Sequence, residues 1–385
     1  MGSGRADDWL VETLADLVRI DSVNPSLVPG AAGESEIADY VAGILDTLGL
    51  EVHVHEPEPG RPSVVGRLAG SGGGRSLMLN AHYDTVGVED MRDPFGAEVR
   101  DGRLYGRGAY DMKGSLAACL AAARRLAASG APLAGDLLVA AVADEEYASI
   151  GTADLTGRYP VDGAIVTEPT SLRLCLAHRG FTWLQVETRG RAAHGSRYDI
   201  GVDANLRMGR FLARLDVLER ELRARDGHPL LGPPSVHAAT VHGGEGISTY
   251  AARSVVAIER RTVPGETEAG VRAEIATLLD EIRAEDPDYE SDLRVLLARD
   301  PFETAADAPV AAAVSRAAEG VLGRPPELVG ESPWMDSALL AAAGVDTVVI
   351  GPHGEGAHAA VEWVNLDSVS SLADILVSAA RDYCG

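Results

Sequence analysis

The segment at residues 104–115 reads Leu-Tyr-Gly-Arg-Gly-Ala-Tyr-Asp-Met-Lys-Gly-Ser. Two glycines, Gly106 and Gly108, precede its single acidic residue, Asp111, and Gly114 follows immediately before an alanine-rich run. Glycine at this density allows the backbone to adopt positive φ angles or to approach another group closely. A carboxylate on such a turn, at the start of a helix, is suited to binding a cation. Taken alone, a glycine-rich turn with one aspartate is more often only a turn.

Polar residues follow three short apolar segments elsewhere in the chain, each predicted to be a buried strand. The segments and the residues that follow them are 76–80 with His82 and Asp84, 136–142 with Glu145 and Glu146, and 164–166 with Glu168. Because helical patterns separate the segments, we expect an α/β layer with a parallel core. Ligands bind beyond the carboxyl ends of the strands in such sheets, so the sequence predicts a site there.

The middle of the chain has a different pattern, which predicts an inserted second domain. Strand-like segments at residues 182–188 and 254–259 alternate with amphipathic helices at residues 201–222 and 266–284. The first pattern then returns, and a buried strand at residues 347–350 leads to His358. The other predicted helices are residues 8–20, 33–48, 115–128, 308–322 and 336–343.

The composition is that of a soluble globular chain with room for two hydrophobic cores. Its 385 residues are 46% hydrophobic and 24% charged, which is ordinary for globular domains. The formal net charge of −24 would be repelled by nucleic acid and by anionic membrane surfaces. We therefore expect neither nucleic acid nor a membrane as a partner.

The cysteines and the N-terminal sequence indicate the cellular compartment. Cys119, Cys175 and Cys384 are odd in number and widely spaced, which fits a reducing compartment and gives no cysteine metal motif. The first eight residues have no apolar signal core, and no apolar run approaches the length of a membrane span. We expect a cytoplasmic location.

Two imidazoles and three carboxylates form a candidate ligand set: His82, Asp111, Glu146, Glu168 and His358. This mixture of nitrogen and oxygen donors suits Zn²⁺ or its neighbours Co²⁺ and Mn²⁺. Five ligands exceed what one catalytic zinc needs, but they divide into two sets of three if Asp111 bridges. Two ions about 3.5–4 Å apart can activate a water molecule and polarise a carbonyl together.

Two further residues have predicted roles beside these ligands. Asp84 can accept a hydrogen bond from the second ring nitrogen of His82 and fix its tautomer. Glu145 and Glu146 are adjacent, so their side chains point to opposite sides of an extended backbone. Glu146 can then bind metal while Glu145 faces the attacking water as general base. Each motif alone has an ordinary explanation, such as a capped turn, but their convergence at predicted strand ends favours a catalytic site.

This series of motifs resembles the co-catalytic zinc metallopeptidase and amidohydrolase family of acetylornithine deacetylase, succinyl-diaminopimelate desuccinylase, aminoacylase and glutamate carboxypeptidase. The order of the motifs is highly specific and covers nearly the whole chain. The resemblance implies a zinc-peptidase-like α/β catalytic domain with a mixed, mainly parallel sheet between helices, plus an inserted α+β lid. The matching segments are residues 81–86 (AHYDTV), 106–114 (GRGAYDMKG), 144–146 (DEE), 167–170 (TEPT) and 357–358 (AH).

The resemblance also implies how the ligands are divided between two metal ions. His82, Asp111 and Glu168 would hold one ion. Glu146 and His358 would hold the other together with Asp111. The expected cofactors are therefore two divalent ions per chain, with zinc expected first and cobalt or manganese as substitutes.

By the same resemblance, residues 180–296 are a lid and dimerisation domain inserted between catalytic segments 1–179 and 297–385. In the family, this lid forms the interface of a homodimer. Residues 190–196 (GRAAHGS) match the lid motif, whose histidine, here His194, reaches into the partner subunit's site and stabilises the oxyanion of the tetrahedral intermediate. The alternative for His194 is a histidine that caps its own loop.

Two lid residues are candidates for substrate binding. Arg261 occupies the position of the family's acidic-x-Arg pattern, where a planar guanidinium can clamp a substrate carboxylate. Ser248 stands where many relatives carry asparagine. This departure changes the usual substrate contact, so no substrate name is transferred from any one relative.

The function implied is a two-metal amide hydrolase that removes an acyl group from an N-acyl amino acid. Glu145 would deprotonate the water and then protonate the leaving amine. Glu168, rather than an aspartate, occupies the third strand end, and in this family that choice favours the deacylase branch. A carboxypeptidase or dipeptidase acting on short peptides is the alternative within the family. A metal-free binding protein on the same fold is the alternative outside enzymes.

Overall fold

The chain folds into two compact units in a computed structural model that describes residues 7–385. The first six residues of the N-terminal sequence considered above lie outside the described residues. One unit contains the chain up to Leu176 with Thr304–Val329 and Met335–Gly385, and the other contains Ala177–Glu303 with Gly330–Trp334. The role of the insert as a lid or dimerisation domain stays a prediction.

Helices and strands are numbered separately in chain order. The first part of the chain contains α1 (Asp8–Arg19), α2 (Ser35–Thr47), β1 (Glu51–His55), β2 (Ser63–Leu68), β3 (Leu77–His82), β4 (Glu98–Arg100), β5 (Arg103–Tyr105), α3 (Gly114–Ala128), β6 (Leu137–Val142), α4 (Ile150–Arg158), β7 (Gly163–Val166) and β8 (Leu174–His178). The middle part contains β9 (Gly180–Arg189), α5 (Ala204–Ala224), β10 (Ser235–Gly243), β11 (Arg253–Thr262), α6 (Glu268–Glu285), β12 (Ser291–Arg299) and β13 (Phe302–Glu303). The last part contains α7 (Pro309–Leu322), β14 (Leu328–Glu331), α8 (Ser337–Ala342), β15 (Asp346–Val349), β16 (Gly354–Glu355), β17 (Trp363–Asn365) and α9 (Leu366–Cys384).

The main sheet has the strand order β1-β2-β6-β3-β7-β15-β8-β13. Strands β6, β3, β7 and β15 are parallel, whereas β1, β2 and β8 pair antiparallel, so the predicted mixed sheet with a parallel core is confirmed. In the pairing register, His82 lies opposite Val142 and Asn80 lies opposite Val166. The carboxyl ends of β3, β6 and β7 therefore lie side by side, which brings together the residues that follow them.

Small apolar residues allow close packing of helices on this sheet. Helix α3 is buried along most of its length, because alanines such as Ala118 and Ala122 leave room for α1, for α9 and for strand β3. Helix α9 buries Leu372 and Leu376 and also contacts α7. This packing holds the start of α3, and with it the Asp111 turn, against the end of the sheet.

The second unit is an antiparallel sheet of order β10-β11-β9-β12 with α5 and α6 packed on it. Strand β11 alternates between buried and more exposed residues, and its buried residues Val256 and Ile258 share a core with Phe211 of α5 and Ile275 of α6. This α+β arrangement agrees with the strand and helix pattern expected for the insert.

Four elements of more than five residues were not predicted from the sequence. Strands β10 and β12 lie at the two edges of the second sheet, and a register shift interrupts each of them, which removes a regular period-two pattern. Helix α4 is short and contains two glycines, Gly151 and Gly157. Helix α9 does carry sequence signals, because it is amphipathic and the Asn365 side chain accepts a hydrogen bond from the Ser368 backbone at 2.8 Å.

Within residues 7–385, no helix combines the length and the apolar composition that crossing a membrane requires. The three cysteines are buried, and no disulfide joins them. The location of the protein in the cell stays a prediction.

Candidate metal centre

The predicted ligands meet at the carboxyl edge of the main sheet, within the first unit. His82 is the last residue of β3 and is buried. Its Nε2 lies 3.2 Å from Asp111 Oδ1, 3.5 Å from Glu168 Oε1 and 3.9 Å from Glu145 Oε2. Three chain segments that are far apart in sequence thus direct oxygen donors at one imidazole.

Asp111 stands between the two imidazoles of the site. Its Oδ1 faces His82, whereas its Oδ2 lies 3.4 Å from His358 Nε2. The same His358 nitrogen lies 3.0 Å from Glu146 Oε2. The two oxygens of one carboxylate therefore face two different histidines, which is the arrangement expected of a ligand that bridges two ions.

Donor atoms within this cluster lie close enough to share metal ions. One group within 4.8 Å consists of His82, Asp111 and Glu146, and another consists of His82, Glu145 and Glu168. The second group places a Glu145 oxygen among the candidate ligand atoms. The division of roles between Glu145 and Glu146 therefore stays a prediction.

The shifted pKa values of the clustered side chains indicate that the cluster suits a cation. Burial, reinforced by repulsion between carboxylates, raises the pKa values of Glu145 and Glu168 well above the usual range, and burial raises the pKa of Glu146 to about 7. Hydrogen bonds with Asp111 and Glu146 raise the pKa of His358 to about 10. In the absence of an ion, protons shared among the imidazoles and the carboxyl groups would balance the negative charge of the cluster. Divalent ions would replace those protons, so the donor set fits them.

Glycines shape the turn that carries Asp111. Gly106 has a φ of 151° and Gly108 a φ of 77°, values that side chains other than glycine rarely adopt. A Cβ atom would lie 2.4 Å from Val18 Cγ1 at Gly106 and 2.7 Å from Thr85 Cγ2 at Gly108. Both backbone conformation and space therefore require glycine at these two positions.

Asp84 lies against the second ring nitrogen of His82, and its role in fixing the tautomer of that ring stays a prediction. The Nδ1 atom of His82 lies 3.0 Å from the Asp84 backbone carbonyl and 3.5 Å from its carboxylate. The chain turns after β3, which brings the carbonyl of the second following residue under the ring. The Asp84 carboxylate also accepts hydrogen bonds from the backbone N–H groups of Glu145 at 3.0 Å and Glu146 at 3.2 Å. It thereby holds the segment that carries the predicted base.

A buried polar network behind Asp84 was not predicted from the sequence. Arg61 donates hydrogen bonds to Glu34 at 2.7 Å and to Asp144 at 2.6 Å. The Asn24 amide donates to both Asp84 and Asp144, at 2.8 and 3.0 Å. No local sequence signal identifies these residues, because Arg61 and Asp144 are 83 positions apart. Through these hydrogen bonds to Asp144 and Asp84, they support the turn after β6.

The remaining predicted residues lie in the second unit. His194 is exposed, and its Nδ1 lies 2.9 Å from the Ser196 hydroxyl, a contact that fits the loop-capping alternative. Ser248 accepts a hydrogen bond from the Gly195 backbone at 2.7 Å through its carbonyl. Arg261 lies 3.2 Å from the Glu259 carboxylate. Their roles in binding substrate or the oxyanion stay predictions.

The fold and the ligand geometry define a class of hydrolases that work with metal ions at the edge of an α/β sheet. Residues 78–382 match the family model described as peptidase family M20/M25/M40, and the chain belongs to this family.

Acetylornithine deacetylase from Myxococcus xanthus is 31% identical over 390 residues, which cover 97% of each chain. The structure of aminopeptidase PepT from Bacillus cereus is similar with a TM-score of 0.82 at 20% identity, over 99% of this chain and 100% of that one. The YXEP protein of Bacillus subtilis, described as a dinuclear metal-binding peptidase, has a TM-score of 0.75 at 15% identity, over 97% and 96% of the two chains. These two structures support the fold.

An Asp84→Asn substitution tests whether the Asp84 carboxylate holds the Glu145 segment in place. Each carboxylate oxygen accepts one of the two backbone N–H groups, so either orientation of the amide places an NH₂ group against an N–H donor. We expect kcat/KM to fall about 10–100-fold, the usual effect of groups that orient ligands. The measurement is steady-state hydrolysis together with metal content per chain.

The matched control is Asp162→Asn at the opposite edge of the sheet, where Asp162 accepts a hydrogen bond from the Ser76 backbone at 2.8 Å. This variant is expected to retain wild-type kinetics. Full activity in Asp84→Asn would show that Asp84 does not position the segment.

Proposed function

We propose that this protein is a two-metal amide hydrolase that removes the acyl group from an N-acyl amino acid. The observation that carries the proposal is Asp111, whose two oxygens face two different imidazoles at 3.2 and 3.4 Å. Similarity to an acetylornithine deacetylase over 97% of the chain supports an acyl amide as the bond that is cleaved.

The residues divide into two ligand sets in this proposal. His82, Asp111 and Glu168 would hold one ion, and Glu146 and His358 would share Asp111 to hold the other. Zinc is the expected metal, with cobalt and manganese as substitutes, because the donors are nitrogen and oxygen without sulfur. When bound, such a pair of ions polarises the scissile carbonyl and lowers the pKa of a water molecule.

Glu145 is the proposed proton carrier of the reaction. Its side chain is mostly buried, and its segment is held in place through the two hydrogen bonds to Asp84. It would take a proton from the attacking water and deliver that proton to the nitrogen of the leaving amine, so that one carboxylate serves both steps. Arg261 would bind the substrate carboxylate, with Ser248 contributing a contact in the same domain.

We also propose that the second unit forms the interface of a homodimer and that His194 stabilises the oxyanion in the partner subunit's site. Large apolar side chains on that unit are exposed, including Tyr198 at 84%, Leu206 at 72% and the whole side chain of Ile247. These exposed side chains are candidates for the surface that would be buried in such a dimer.

Metal content and substrate class are tested together. We expect about two zinc ions per chain by plasma mass spectrometry, loss of activity with a chelator, and recovery with zinc or cobalt. In a panel of N-acyl amino acids and dipeptides, the acyl compounds are expected to be hydrolysed faster. Two ions with cleavage of dipeptides alone would indicate an exopeptidase, and absence of both metal and activity would favour a binding protein.

A Glu145→Gln substitution tests the assignment of the base. The amide cannot accept the proton, so we expect kcat to fall by about 10²–10⁴-fold, the range that general acid–base catalysis contributes. The metal content is expected to stay at two ions per chain. Loss of an ion in this variant would identify Glu145 as a ligand, which its 3.9 Å distance from His82 Nε2 also allows.

Mixing two inactive variants tests both the dimer and His194. His194→Ala and Glu145→Gln are each expected to be impaired and, by sedimentation analysis, dimeric. After subunit exchange, a mixed dimer contains one site with an intact Glu145 and an intact partner histidine, so activity should reappear. Monomers in sedimentation, or no recovery after verified exchange, would contradict the proposal.

A further inference from the structure

A buried carboxylate beyond the ligand set holds the backbone of the Asp111 turn. Glu362 is 2% exposed, and each of its oxygens accepts two hydrogen bonds. Its Oε2 accepts from Arg107 Nη1 at 2.7 Å and from the Gly108 N–H at 3.1 Å. Its Oε1 accepts from the N–H groups of Tyr110 at 2.9 Å and Asp111 at 3.1 Å. All four donors belong to the glycine-rich turn.

The Arg107 side chain connects the same turn to the segment of His358. It is 1% exposed, and its Nη2 donates to the Ala359 carbonyl at 3.1 Å, next to His358. Its Nε donates to the Gly87 carbonyl, also at 3.1 Å. Each of the three guanidinium nitrogens therefore has its own acceptor. Nε donates to Gly87, Nη1 to Glu362 and Nη2 to Ala359.

Glu362 follows His358 by four residues, so one short segment contains both a predicted ligand and the anchor of the bridging ligand. The backbone N–H of Gly106 also donates to the Glu362 carbonyl at 3.2 Å. Strand β17 begins at the next residue and pairs with β5, which leads into the turn. The segments of Asp111 and His358 are thus joined by side-chain and backbone hydrogen bonds.

We propose that the Arg107–Glu362 pair is a positioning element that sets the Asp111 carboxylate against His358 and thereby determines the affinity of the ion shared by Asp111, Glu146 and His358. This inference rests on the proposed two-metal function and adds two residues outside the ligand set. Glu362 is not itself a ligand, because both of its oxygens are already engaged by two donors each.

The negative charge of Glu362 is required for this arrangement. A glutamine has one acceptor oxygen and one NH₂ group, and both orientations place the NH₂ group against two N–H donors. Leaving buried donors unpaired is costly, so the turn would move away from its present position. Asp111 would move with it, because its own N–H is one of the four donors.

Glu362→Gln tests the inference through metal binding. Cobalt-loaded wild type and variant are dialysed against graded concentrations of a chelator, and cobalt per chain is measured with the visible absorption spectrum. We expect the variant to lose one of its two ions at a chelator concentration at least about tenfold lower than wild type, as groups that orient metal ligands contribute 10–100-fold in affinity. The absorption bands of the remaining ion should persist.

Two further variants complete the test. Asp136→Asn changes a more exposed carboxylate, which also accepts hydrogen bonds from an arginine and a backbone N–H, those of Arg67 and Gly70 at 2.8 Å. This variant should retain both ions as wild type does. If Glu362→Gln is not folded by circular dichroism, Arg107→Lys decides by the same titration, because lysine keeps the charge but cannot reach all three partners.

If wild type and Glu362→Gln retain both ions equally, the inference about Glu362 is wrong, whereas the proposed two-metal function still stands. The same result for Arg107→Lys overturns it if that variant is the one measured. A wild type that binds fewer than two ions contradicts the proposed function instead.

Discussion

The repulsion among four carboxylates gathered around two imidazoles is the constraint that shapes this site. Asp111, Glu145, Glu146 and Glu168 approach each other closely where water is largely excluded, and in that environment each negative charge disfavours the next. Such a cluster is stable only with compensating positive charge. Protons on the histidines can supply that charge, but divalent ions supply more of it and are expected to give the site its catalytic form.

Two buried arginine–carboxylate networks support the cluster from behind. Arg61 acts on the turn after β6 through Asp144, and Arg107 acts on the Asp111 turn through Glu362. Because the first network lies behind the predicted base and the second behind the bridging ligand, the two can affect catalysis separately. The first is expected to influence turnover, whereas the second is expected to influence metal affinity.

Much of this arrangement could be predicted from the sequence. Strands β3, β6 and β7 have local apolar patterns, and the polar residues His82, Glu146 and Glu168 lie at or shortly after their ends. The parallel core and the order of the motifs were sufficient to place these residues at one edge. Strands β10 and β12 could not be predicted because edge strands with register shifts lack a clear alternation. Helix α9 does have an amphipathic pattern and an asparagine N-cap in its sequence. The carbonyl contact of Asp84 depends on how the chain turns after β3, which a pattern of residue types does not describe.

By itself, the sequence determined the α/β class, the family resemblance and the identity of the candidate ligands, because each of these depends on short motifs and on the periodicity of nearby residues. Only the tertiary structure decided which Asp111 oxygen faces which histidine, and only it revealed Glu362 as the acceptor of four hydrogen bonds. The physical reason is distance along the chain. Glu362 and Arg107 are 255 positions apart, and only the packed sheet and helices bring them into contact.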